Sequence, residues 1–252
     1  MRRRWAALPA LLLAALPGIA GAALPLETED TGTTERVEIE VAAIYLSAPD
    51  ADGGELAAGV SVGLRANLEV QVVGALALDD PVDGATETGI GDSFLTVKYR
   101  FLDEGPSWPA LLARFALRVP TGNEARGLGE GDPRVQLLLA ASRGLGPVVL
   151  TANVGYTIAT WDADTDAVFL GASLEWAVGG PWRLVGEIVG EVAVGRDADD
   201  VALIRVGFTW DIFDAGDAPG LLRQATLAGA AAAGLTSASP DVVVTLGITL
   251  VY

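Results

Sequence analysis

Lys98 and Arg100, Arg114 and Arg118, and Arg134 fall at even spacings inside apolar stretches, as do Glu38 and Glu40, Glu69, Glu175, and Glu187 and Glu191. Residues two or four apart share one face of a β-strand, so each set of charges belongs to one side of a sheet whose other side is apolar. The basic residues come from three consecutive segments and the acidic ones from segments on either side, which predicts basic and acidic walls opposed across an interior. In a pore, such a field orients polar solutes and tunes selectivity. The competing expectation is that the charges pair and fill a narrow barrel, because buried charges need partners.

Other spacings point to chemistry that the rest of the chain does not support. "GVSVG" (59–63) fits a nucleophile elbow, but that motif needs a strand-to-helix turn and a histidine base, and the chain has no His. Ser61 reads instead as a small inward residue. "GLGEGD" (127–132) resembles a phosphate loop without the helix that would hold the anion, and reads as a flexible loop. "DADTD" (162–166) begins like a calcium loop, yet Ala167 stands where glycine is needed and Ser173 where the bidentate glutamate is needed. No catalytic residue, resident metal or cofactor is expected. A weaker expectation is that Asp162, Asp164, Asp166, Asp197, Asp199 and Asp200 gather on one rim and bridge through divalent ions to lipopolysaccharide phosphates.

The elements that would carry these residues are short and two-sided. Val37, Ile39, Val41 and Tyr45 alternate with Glu38 and Glu40; Leu95, Val97, Tyr99 and Phe101 with Thr96, Lys98 and Arg100; Leu111, Phe115, Leu117 and Val119 with Arg114 and Arg118. The same period of two recurs at 58–65, 68–76, 134–142, 149–158, 168–176, 182–192 and 202–211, more weakly in the Ala/Gly-rich 222–233, and finally at 243–252. The segment 221–235 is the one place where a strand or a partly helical stretch are both open. The expected total is about twelve strands. Long acidic connections such as "LDDPVDGATETG" (78–89) and "PTGNEARGLGEGD" (120–132) alternate with brief ones such as "RAN" and "RGLGP".

The start of the chain, "MRRRWAALPALLLAALPGIAGA", has the basic, apolar and small-residue regions of a secretory signal peptide, with cleavage expected near Ala22. That divides the chain into a leader (1–22), a periplasmic N-terminal segment (23–36) and a strand domain (37–252). Loss of the positive charges on Arg2, Arg3 and Arg4 with the leader takes the formal charge from −17 to −20, which excludes nucleic acid as a partner by repulsion. The chain has no Cys and so no disulfide. After the leader no run of apolar residues is long enough for a membrane helix.

A soluble sandwich would show Lys, Glu and Thr freely on its polar face. Here that face carries few Lys and many Gly, Ala, Ser and Thr, as expected of a crowded lumen. Tyr45, Phe101, Tyr156, Trp176, Trp182, Trp210 and Tyr252 sit near segment ends on the apolar face, as interfacial girdles do. The expected fold is therefore a transmembrane, antiparallel, up-and-down β-barrel of the bacterial outer membrane, surrounded by lipid and lipopolysaccharide.

With "PLETEDTGT" (25–33), "TGIGDSFLTVKYRFLDE" (88–104), "ALRVPTGNEARGLGEGD" (116–132), "ASRGLGPVVLTANVGYT" (141–157) and "LVGEIVGEV" (184–192) in this order, the chain resembles the outer-membrane barrel family named for a MetA pathway of phenol degradation. The resemblance spans nearly all of the chain after the leader and implies a transporter-like barrel. The activity it leads us to expect is passive passage of small solutes, with aromatic or hydrophobic compounds as candidates; the alternative is a non-conducting structural or surface-interaction barrel. At the end of the chain, Ile248, Leu250 and Tyr252 form an apolar face with a terminal aromatic. This resembles the signal read by the barrel assembly machinery, and the strand that carries it is expected to close the barrel against the first.

Overall fold

The computed structural model describes residues 24–49, 51–81, 84–160, 165–194, 199–216 and 220–252. The alternating segments form β1 (Val37–Ala48), β2 (Ala51–Arg65), β3 (Leu68–Pro81), β4 (Glu87–Ile90), β5 (Ser93–Leu102), β6 (Ala110–Val119), β7 (Arg134–Leu145), β8 (Val148–Ala159), β9 (Ala167–Gly179), β10 (Trp182–Ala193), β11 (Val201–Asp214), β12 (Gln224–Gly234) and β13 (Val242–Val251). Apart from β4 and β5, which both pair with β3, neighbours in sequence pair antiparallel. Leu76–Asp79 of β3 pair with β4 and Leu68–Val73 with β5. The two short strands are therefore one stave interrupted at Gly91 and Asp92, and the barrel has the expected twelve staves.

β13 closes the barrel on β1, with Ile39 opposite Leu250 and Val41 opposite Ile248, and the Tyr252 N–H donates to the Val37 carbonyl at 2.9 Å. Among the described residues closure pairs every stave on both sides except along β4, which pairs with β3 alone, and paired edges are the condition for backbone in hydrocarbon. The Ala-rich stretch left open by the sequence is a strand, β12, paired along its length with β11 and β13.

The apolar faces point outward as the alternation requires. Val206, Leu64 and Leu76 each expose more than half of their surface (66%, 59% and 57%). An apolar band on that scale is a liability in water and a match to lipid. Aromatic side chains mark its border near the short turns, where the Trp182 and Trp210 rings stack at 5.0 Å and Phe208 lies 5.7 Å from Trp182.

The expected loop 78–89 is largely strand, because β3 continues to Pro81 and β4 begins at Glu87; the acidic stretch between β1 and β2 is likewise mostly ladder, with β1 running to Ala48 and β2 starting at Ala51. Beyond the lipid, polar residues and glycine can extend a ladder without an apolar face, and hydropathy no longer signals the strand.

The interior is layered. On the long-loop side, Ile44, Leu46, Val73, Phe169, Val189, Leu203 and Val243 are buried against one another, with Phe94 packed on them. The expectation of a polar lumen therefore fails for this layer, where the inward face is apolar, while nearer the mouth inward charges such as Arg118 return.

The barrel lumen as candidate functional site

Below the apolar layer, toward the short turns, the barrel interior is charged. Lys98 on β5, Arg114 on β6, Glu187 on β10 and Arg205 on β11 all face inward and are almost fully buried. The opposed walls do not face each other across open space, because residues 24–34 run between them. The segment expected to be periplasmic is inside the barrel, and Leu24 to Glu29 are buried.

Its path follows the wall in stave order. The Thr34 N–H donates to Glu69 on β3 at 2.7 Å, and Arg100 on β5 donates to the Thr31 carbonyl and the Thr33 hydroxyl, both at 3.2 Å. The Glu29 carboxylate lies between Lys98 (2.9 Å) and Arg114 (3.2 Å). The Asn153 side chain on β8 brackets the same residue, accepting from the Glu29 N–H at 2.7 Å and donating to its carbonyl at 2.8 Å. Glu187 accepts the N–H groups of Glu27 (2.8 Å) and Thr28 (2.5 Å). Arg205 pairs with Glu27 and with Glu187 (3.0 Å) and donates to the Pro25 carbonyl (3.2 Å). The result is a hoop lining the barrel at mid-depth.

Three wall positions make room for it. A β-carbon at Gly63 would lie 2.1 Å from the Thr34 carbonyl oxygen, one at Gly171 3.1 Å from the Thr28 hydroxyl, and one at Gly247 2.7 Å from a Leu24 methyl. Burial raises the Glu27 carboxyl from 4.5 to about 7, against the pull of Arg205 and with help from Glu187. Burial also raises Glu29, against Lys98 and Arg114. Desolvation thus outweighs the attraction of the partner cations.

Between the hoop and the short turns lies a partly open cavity of about 390 Å³, lined among others by Asp30, Glu38, Glu40, Glu69, Lys98, Glu175 and Arg183. Glu40 accepts from Gln71 at 3.0 Å, and Arg183 pairs with Asp211 at 3.0 Å and lies 3.7 Å from Glu175. At the opposite mouth the β6–β7 loop turns inward instead of standing free as expected for 127–132. Leu128 is buried, and Asp92 accepts the N–H groups of Gly122 (3.0 Å) and Glu130 (3.1 Å). Glu130 pairs with Arg118 and with Arg134 (2.9 Å), and Glu191 on β10 lies in the field of both arginines.

All the inward charges named from sequence face the interior, divided between a mid-depth ring (Lys98, Arg114, Glu187, Glu69), the short-turn cavity (Glu38, Glu40, Glu175), the outer end of the N-terminal segment (Arg100, on Thr31 and Thr33) and the long-loop mouth (Arg118, Arg134, Glu191). Sequence reasoning did not single out Arg205, Asn153, Glu27, Glu29 or Glu130. Arg205 carried a signal, an inward position in an alternating strand; the two segment glutamates carried none, because the segment has no period. Ser61 is inward and buried, as expected. Asp162, Asp164 and Asp197 of the proposed acidic rim lie outside the described residues, while Asp166 accepts from the Tyr156 hydroxyl (3.0 Å) and Asp200 from the Ala193 N–H (2.9 Å).

A closed twelve-stave barrel with an apolar outer band, aromatic borders and a charged interior is an outer-membrane β-barrel. The chain belongs to the family described as "Putative MetA-pathway of phenol degradation", whose profile matches residues 24–217. Among solved structures it is similar to the COG4313 outer membrane channel from Pseudomonas putida F1, at 18% identity and a TM-score of 0.62, covering 94% of this chain and 99% of that one. It is also similar to the KdgM porin, solved in complex with disordered oligogalacturonate (6% identity, TM-score 0.59, covering 85% and 99%), and to the NanC porin (8%, 0.57, covering 85% and 98%). At these identities the likeness is one of fold. No curated protein sequence matches the chain.

Proposed function

We propose that this barrel gives passive passage across the outer membrane to small solutes with an apolar body, and that the N-terminal hoop closes it between passages. The observation that carries the reading is the apolar layer above the charged ring. Lumens that pass hydrophilic solutes are polar and water-filled, whereas Phe169, Leu203 and Val243 here offer an inward surface on which an apolar solute loses nothing by leaving water. Family membership and the porin-like fold support a channel rather than an enzyme, and the chain has no histidine to serve as a catalytic base.

The hoop and the inward β6–β7 loop imply a closed resting state, in which passage waits on displacement of residues 24–34. The test is uptake of a small apolar fluorescent probe by cells with an intact lipopolysaccharide layer, with and without the protein. Faster uptake with the protein is expected. Equal rates would refute passage and leave the non-conducting barrel as the better reading.

A further inference from the structure

We propose that the seat of the Glu29 carboxylate, between Lys98 and Arg114, is a binding site for the carboxylate of an exogenous acid with an apolar body, which competes with the N-terminal segment. The proposal rests on the reading that the segment can be displaced.

The geometry is that of a ligand site occupied by a piece of its own chain. One carboxylate oxygen lies 2.9 Å from the Lys98 ammonium and the other 3.2 Å from an Arg114 guanidinium nitrogen. The oxygens are thus read by two cations from adjacent staves, while Asn153 holds the peptide that presents them. No covalent or regular secondary structure fixes Glu29 there, so an independent carboxylate can satisfy the same donors.

Charge argues in the same direction. When the segment leaves, Lys98 keeps Glu69 at 3.4 Å and Arg205 keeps Glu187 at 3.0 Å. The seat then loses the carboxylate that Lys98 and Arg114 share, and buried cations are costly unless their charge is balanced. An anion from outside restores that balance, and the effect is local although the chain as a whole is strongly acidic.

The surroundings specify the rest of the ligand. Leu138, opposite Arg114 on β7, is buried in the apolar cluster, and Phe94 on β5 packs against that cluster one inward layer nearer the long-loop mouth, opposite Arg118. An acid arriving from that side would lay its apolar body along this layer and its carboxylate on the seat. On the other side, Glu38, Glu40, Glu69 and Glu175 outnumber the cations Lys98 and Arg183 in the wall of the short-turn cavity, so the seat fits an amphiphilic acid entering from the long-loop mouth.

The test uses the full-length barrel in detergent with sodium benzoate as probe. In a Glu29→Ala variant, which vacates the seat, benzoate should raise the temperature of the heat-dependent gel-mobility shift by several degrees. Benzyl alcohol and sodium chloride at the same concentration should not, and adding Arg114→Gln should weaken the response at least about tenfold. Equal shifts with benzoate and chloride overturn the proposal. Should Glu29→Ala fail to fold, a Thr28→Cys variant of the otherwise native chain reports the competition: benzoate should speed thiol labelling at that position about tenfold relative to benzyl alcohol, and an unchanged rate overturns it. Neither readout needs transport. A benzoate response without probe uptake would refute the passage reading alone, and uptake without a benzoate response would refute the seat alone.

Discussion

Arg205 illustrates how a single inward side chain holds two chain segments at once. It bridges Glu187 of its neighbouring stave and Glu27 of the hoop, and takes the Pro25 carbonyl as well. Arg205→Gln removes the cation and leaves two buried carboxylates side by side. Breaking a buried pair in this way costs about 3–5 kcal/mol, which corresponds to at least about a hundredfold rise in the population of displaced hoop. The chain has no cysteine, so labelling of a Thr28→Cys thiol measures that population directly; an unchanged labelling rate would mean that Arg205 does not hold the segment. A second residue-scale prediction concerns pH. Because burial raises Glu27 from 4.5 to about 7, the docked hoop retains a proton that the displaced hoop gives up. The resulting stabilisation is complete below about pH 4.5 and is lost as pH rises to about 7, and Glu29 shifts in the same direction. Bilayer recordings at pH 5 and pH 8 should show a lower open probability at pH 5, and the reverse order would contradict the assignment.

Among the elements, the staves were legible and the hoop was not, for one physical reason. A stave between lipid and lumen must alternate, so Leu137, Leu139 and Val154 announced an outward face and Gln136 and Asn153 an inward one. Even Ala-rich β12 kept enough of that period to be placed. A segment bonded to six staves in turn meets a different neighbour at each residue, and "PLETEDT" has no period to read. The only trace is negative: glycines at Gly63, Gly171 and Gly247 on inward faces, where a barrel in need of filling would be expected to place side chains. That trace yields a prediction at this scale. Gly63→Val puts side-chain atoms where the Thr34 carbonyl lies, while Gly63 sits beside a register shift near the end of β2, where the ladder is already irregular. The variant should assemble into a heat-modifiable barrel with its N-terminal segment displaced, giving protease access near residues 24–34 and larger conductance. A barrel that stays closed would show that the segment enters by another path.

For the whole molecule, the last stave determines whether there is a barrel at all. Every backbone group in the lipid must be paired within the protein, and the β1–β13 seam joins the two ends of the chain, so it can form only when all the staves between them are in place. The seam holds Ile248 and Leu250 opposite Val41 and Ile39, and the Tyr252 N–H on the Val37 carbonyl is its last bond at the short-turn end. Deleting Tyr252 removes one such bond and one interfacial aromatic from a ladder that otherwise remains intact, so the closed barrel should lose little stability. We propose that assembly in the cell depends on recognition of this aromatic, and there the loss should be large. The expected outcome is a several-fold drop in heat-modifiable protein in outer membranes, with conductance and thermal midpoint near those of the full chain once the truncated protein is refolded in detergent. If both measurements fall together, Tyr252 acts through the seam alone; if neither falls, the chain's final residue serves neither closure nor recognition.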